Sequence, residues 1–220
     1  MTDVLSLQTI SVAQARSLGP WTEGWGAGGS VPLQPTPLDG QPSAYVQASW
    51  REKPYGQTTE AIVQFIRTPA TVYARVEWAC PSPRFGITDN NVFADACAIL
   101  FPANGHAAPL ATLGDKSEPV VAWHWRAGAE TAFIADGTGI GTLSRRPKHD
   151  LSVAAEWRQD RWAVVFTHPL TSNANSASPA ASDLVAFAVW TGANQERAGL
   201  AACSPAWSRL RQEASAGGAR

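Results

Sequence analysis

An all-β fold, an antiparallel β-sandwich, is predicted by three features of this 220-residue sequence. Several segments alternate apolar and polar residues with a period of two. Two further runs are apolar on both faces, and no 10- to 15-residue helical pattern falls between the strands, which disfavours a parallel α/β sheet.

The segments follow in order. Residues 17–44 carry Gly24, Gly26, Gly28 and Gly29, then Pro32, Pro35, Pro37 and Pro42, a density of breakers that forbids a long helix and predicts a loop-rich lead-in. Tyr45–Trp50 and Ala61–Ile66 read as strands. In Thr71–Trp78 the apolar Val72, Ala74, Val76 and Trp78 alternate with Tyr73, Arg75 and Glu77, the period of a strand with one wet face. Asp95–Phe101 and Leu184–Trp190 are apolar on both faces, as central strands of a packed sheet are. Val120–Arg126 is a further strand. Leu151–Trp157 and Arg161–Phe166, linked by Arg158-Gln159-Asp160, form a hairpin. That makes about eight strands. The core is expected to contain Val72, Val76, Trp78, Ile99, Val153, Trp162, Val164, Phe166, Phe187 and Val189. Thr171–Ser182, built from Ser, Asn, Ala, Thr and Pro, reads as a long exposed loop. The whole is expected to be one domain over 1–220: a lead-in over 1–44, the sandwich over 45–210 and a disordered tail over 211–220.

Composition narrows the function. Seventeen basic against eighteen acidic side chains leave a net charge of −1, which offers no electrostatic footprint for nucleic acid. No apolar run approaches the length of a membrane span. Cys80, Cys97 and Cys203 are widely spaced, with neither a CxxC metal pattern nor the CxxCH of covalent haem attachment. Cys97 reads as a small buried thiol. The first sixteen residues lack a basic start followed by an apolar core, which predicts a cytoplasmic protein, or a periplasmic one exported with a partner.

No GxSxG elbow, HExxH, P-loop or close carboxylate pair is present, so catalysis by side chains alone is not expected. Gly137-Thr138-Gly139-Ile140-Gly141 has the glycine density of a phosphate loop, but Arg145-Arg146-Pro147 follows where a helix would be needed, and a turn is predicted. The ten tryptophans suit both a sandwich core and the walls of a pocket for a flat ligand. His124, between Trp123 and Trp125 on one strand, points to the face opposite both and reads as a satisfied structural histidine.

An ordered series of segments resembles one known family. It comprises Asp95–Pro102, Leu113-Gly114-Asp115, Glu118–Val120, Trp123–Ala127, Gly139–Leu143, Trp157–Leu170, Val185–Trp190, and then Gly192, Glu196-Arg197, Gly199 and Ser204–Trp207. These segments resemble the haem-b-binding gamma subunits of the ethylbenzene and dimethyl-sulfide dehydrogenase group, the type II DMSO reductase family. The resemblance implies a DOMON-like haem-binding sandwich holding one non-covalent haem b. It also implies a non-catalytic subunit of a molybdenum-dependent oxidoreductase, exchanging electrons with an iron–sulfur beta subunit that is wired to a molybdopterin alpha subunit.

The ligands implied by the resemblance do not carry over. The family's axial methionine falls at Leu113, and the chain's one methionine is Met1. The second ligand is usually a lysine near the region before Val185–Trp190, and between Pro169 and Asp183 there is no lysine, histidine or methionine. If haem is bound, the remaining donors are the histidines. His106, in the loop that carries Leu113, and His168, at the end of the Trp162–Phe166 strand, form the expected pair, with Arg145 and Arg146 as propionate partners. Two other readings stand beside this one: a haem-free structural gamma-like subunit of such a complex, and a sandwich that binds carbohydrate or another small ligand.

Overall fold

Alternation of apolar and polar side chains sets the strands, and double-sided burial sets which of them are central. The computed structural model describes residues 4–87, 91–170 and 182–213. In chain order the strands are β1 (Val4–Thr9), β2 (Gly29–Pro32), β3 (Gln34–Pro35), β4 (Glu60–Arg67), β5 (Thr71–Ala79), β6 (Ala96–Pro102) and β7 (Val120–Arg126). They continue with β8 (Phe133–Gly137), β9 (Ser144–Arg145), β10 (Ser152–Arg158), β11 (Arg161–Pro169), β12 (Leu184–Trp190), β13 (Ala202–Cys203) and β14 (Ser208–Gln212). Two short helices join them, α1 (Val12–Ala15) and α2 (Ala44–Trp50).

One layer runs β10-β11-β5-β4-β1-β14 and the other β12-β6-β7-β8-β9, with β12 also bonded to β14 where the layers meet. Their facing sides share one core. Trp78 meets Trp125 at 6.5 Å, Trp123 meets Phe166 at 6.4 Å and Phe65 meets Phe187 at 6.2 Å between ring centroids, each pair spanning the two layers. Val72, Val76, Trp78, Ile99, Trp162, Val164, Phe166, Phe187 and Val189 are buried, as the pattern requires. Val153 is only half-buried because β10 is an edge strand with one neighbour.

The doubly apolar strands are central, as expected. Along β6, Cys97, Ile99 and Phe101 enter the shared core while Ala96, Ala98 and Leu100 face outward into a second apolar cluster. Along β12, Val185, Phe187 and Val189 face in while Ala186, Ala188 and Trp190 face out. The outer face is roofed by chain connections. Leu110 and Leu113 of the β6–β7 loop and Trp207 lie on it, and Trp207 donates its indole N–H to the Ala108 carbonyl at 2.7 Å.

Four expectations are corrected. Tyr45–Trp50 is helical, because the Ser43 hydroxyl caps α2 by accepting from the Val46 N–H, and Tyr45 is exposed rather than on a buried strand face. The lead-in is not all loop, since β1 lies between β4 and β14 with Leu5 and Leu7 in the core. β1 runs parallel to both neighbours, so the otherwise antiparallel sandwich is mixed at this point. Arg211 and Gln212 belong to β14 rather than to a tail. Residues 171–181, most of the expected long loop, and 214–220 of the expected tail lie outside the described residues. The glycine-rich segment is a turn between β8 and β9, as expected, with the Thr142 hydroxyl bonded to the Gly139 carbonyl at 2.7 Å.

Candidate functional site

The register of β7 places His124 on the outer face of the second layer, opposite Ala98 of β6 and Phe133 of β8. Trp123 and Trp125 consequently face the core, as the sequence predicts. On the outer side the floor is made of small residues, Ala96, Ala98 and Ala188, and that leaves room for large side chains above them. The His124 ring stacks on Phe133 at 4.6 Å and 22° and meets Trp190 at 5.3 Å. Beside it lies a cleft of about 330 Å³, with Ile87, Phe93 and Leu143 among its walls. That volume is at the low end of the range for small-molecule sites.

The charge on this cleft is one-sided. Arg126, Arg145 and Arg197 line it, all three exposed, and none makes an ion pair among the described residues. Arg145 lies over Phe133 at 3.7 Å, and Arg197 over Phe93 at 4.4 Å. The nearby carboxylate, Glu196, does not answer them. It is buried and accepts from the backbone N–H groups of Gly56 and Thr191, each at 2.8 Å. Burial pushes its pKa up, against these hydrogen bonds.

The expected satisfied structural histidine is not found at position 124. His124 Nδ1 is fully buried without a hydrogen-bond partner among the described residues. Burial, with Arg145 and Arg126 nearby, lowers its pKa to about 4, so the imidazole is neutral at physiological pH.

The other site residues expected from the sequence are scattered. His168 lies within β11, buried, its ring stacked on Trp123 at 5.0 Å from the core side of the second layer. His106 is exposed in the β6–β7 loop, which folds over the outer side of the same layer. The two imidazoles are therefore on opposite sides of one sheet and do not form a pair. Arg145 belongs to the cleft, whereas Arg146 makes a two-point ion pair with Asp136, at 2.9 and 2.6 Å. Arg146 and His149 do lie within electrostatic reach of His168, whose pKa is lowered chiefly by burial. The three cysteines are free and buried, and burial raises Cys97 well above an ordinary thiol.

A tryptophan-lined groove next to β10 does not suit a sugar platform. Trp125 and Trp162 are buried, and the indole N–H groups of Trp157 and Trp162 are spent on the Cys80 carbonyl and the Asp95 carboxylate.

No family model matches the sequence. Among curated proteins the chain is 33% identical, over 192 residues, to a protein of Haloferax mediterranei named as a respiratory nitrate reductase haem subunit, covering 86% of this chain and 66% of that protein. It is 33% identical over 157 residues to the chlorate reductase subunit gamma of Ideonella dechloratans, covering 70% of this chain and 65% of that one. To the dimethylsulfide dehydrogenase subunit gamma of Rhodovulum sulfidophilum it is 29% identical over 156 residues, covering 67% and 58%. The chain belongs to this gamma-subunit family.

The chain spans about two thirds of the length of the first two relatives. Among solved structures it is similar to a family 9 carbohydrate-binding module of Caldicellulosiruptor kristjanssonii, with a TM-score of 0.49 and 10% identity over 99% of this chain and 97% of that one. A protein of Bacteroides uniformis described as carbohydrate-binding gives a TM-score of 0.47 and 12% identity, over 97% and 100%. Leu113 is buried in the outer cluster and offers no donor. Among the described residues the buried Nδ1 atoms of His124, His149 and His168 have no hydrogen-bond partner, and a neutral imidazole is donor chemistry that fits haem iron.

Proposed function

We propose that the chain is an electron-transfer gamma subunit of a molybdopterin oxidoreductase complex, holding one haem b non-covalently through histidine. Membership of the gamma-subunit family carries this reading. Its cofactor part is supported by His124, an imidazole kept neutral by a pKa lowered to about 4 that lines a cleft edged by arginines. When bound, the haem would supply a one-electron carrier. The protein would hold it in apolar surroundings, keep the ligating imidazole neutral and meet the acidic substituents with arginine.

The partners proposed are an iron–sulfur beta subunit and a molybdopterin alpha subunit, with substrate chemistry on the latter. A cytoplasmic location is part of the proposal, and fractionation of the native host tests it. Affinity purification from that host should recover a large molybdenum subunit and a cysteine-rich iron–sulfur subunit with this chain. Recovery of the chain alone at full occupancy, or turnover of an organic substrate by the isolated chain, would count against it. The haem-free structural subunit is the second reading, favoured by the packed Leu113. A complex that contains molybdenum and iron–sulfur centres but no haem would establish it.

A further inference from the structure

We infer that haem seats in the cleft above Phe133 and Trp190, with His124 as an axial ligand to the iron and Arg145 and Arg197 as propionate partners. The inference rests on the electron-transfer reading and names its site. Three observations select this cleft over the alternatives.

The first is the donor. His124 lines the cleft, and with its Nδ1 fully enclosed the nitrogen left for iron is Nε2. Contacts with Phe133 and Trp190 fix the ring plane, and β7 is paired along both edges, which makes this a rigid platform. His168, by contrast, is stacked on Trp123 within the aromatic core, next to Phe166.

The second is shape and polarity. The walls contributed by Ile87, Phe93 and Leu143 are apolar, and Ile87 and Leu143 are exposed at 56% and 44%. Large exposed apolar side chains gathered on one cleft mark a surface that is normally covered. A flat macrocycle with one edge in solvent would cover them.

The third is charge. Three arginines without carboxylate partners among the described residues line this cleft, and Glu196 is turned into the backbone. A rim of this kind suits a flat apolar ligand with acidic substituents, and the planar guanidinium groups give two-point hydrogen bonds to carboxylates.

The test is titration of the full chain with haemin, followed through the Soret band. The wild type should bind one haemin per chain with an imidazole-ligated spectrum. His124→Gly should weaken binding by more than about a hundredfold, beyond the loss typical of a supporting residue at a metal site. Added free imidazole should restore the spectrum. His124→Met, which keeps the volume and exchanges the donor atom, should shift the Soret band and the reduction potential even if the glycine variant folds poorly. Arg145→Gln with Arg197→Gln should weaken binding without changing the ligation spectrum. Wild-type spectra and affinity in both His124 variants would overturn the assignment of the cleft and leave the electron-transfer reading intact. Absence of haemin binding by the wild type would overturn the cofactor reading itself.

Discussion

Trp162 donates its indole N–H to the Asp95 carboxylate at 2.9 Å, linking a core tryptophan of β11 to the residue that precedes β6 in the opposite layer. Asp95 is completely buried, and the same carboxylate accepts from the backbone N–H groups of Arg84 and Gly192, each at 2.8 Å, and from the Cys80 thiol at 3.3 Å. One side chain thus satisfies four donors from three separate segments.

Asp95→Asn puts an amide N–H₂ where a carboxylate oxygen accepted. At least one of these buried N–H groups then faces another donor. The expected loss of stability is about 3 kcal/mol, as for a buried charge-assisted hydrogen bond left unmade. Urea unfolding of the variant checks this, and a midpoint equal to the wild type would show that the junction is dispensable.

Glu196 gives a pH dependence of known sign. Its pKa is raised in the folded state, so the native protein binds the proton more tightly than the unfolded chain does. Its contribution is fully present below the ordinary carboxylate value and is lost as pH rises through the raised one. Glu196→Gln should remove that slope from the urea midpoint measured between about pH 4 and pH 7.

His124 contributes with the opposite slope. Its folded pKa of about 4 lies below the ordinary 6.5, so the fold disfavours the imidazolium, and stability falls as pH drops through that interval. A proton NMR titration of the haem-free chain should place the His124 midpoint near 4. A midpoint near 6.5 would mean that the ring is not enclosed by Phe133 and Trp190.

Much of the fold was legible because period-two alternation and double-sided burial are written directly in Thr71–Trp78, Asp95–Phe101 and Leu184–Trp190. β1 was missed because its parallel pairing with β4 and β14 depends on residues about 60 and 200 positions away. Tyr45–Trp50 was misread because a short apolar run fits either state, and the Ser43 cap decides it. At the candidate site, the opposed directions of His124 and its flanking tryptophans followed from the strand period. Its lack of a partner did not, since that depends on Phe133, Trp190 and the register of three strands. The pairing of His106 with His168 failed because nearness to a loop says nothing about which side of a sheet that loop covers.

Leu113→Met puts a thioether at the position where the sequence resemblance implies an axial methionine. The swap nearly conserves volume within the outer cluster, so stability should change by less than about 1.5 kcal/mol. Leu113 is not among the residues lining the His124 cleft, and haemin affinity and spectrum should stay at wild-type values. A methionine-type spectrum in this variant would place the haem under Leu113 instead.

The central claim, that this chain carries electrons within a larger oxidoreductase, is tested most directly by an anaerobic redox titration of the complex purified from its host through this subunit. A one-electron haem transition, in a one-to-one ratio with molybdenum and beside separate iron–sulfur transitions, is the result expected. A complex with the molybdenum and iron–sulfur signals but no Soret or α-band change at any potential would contradict it.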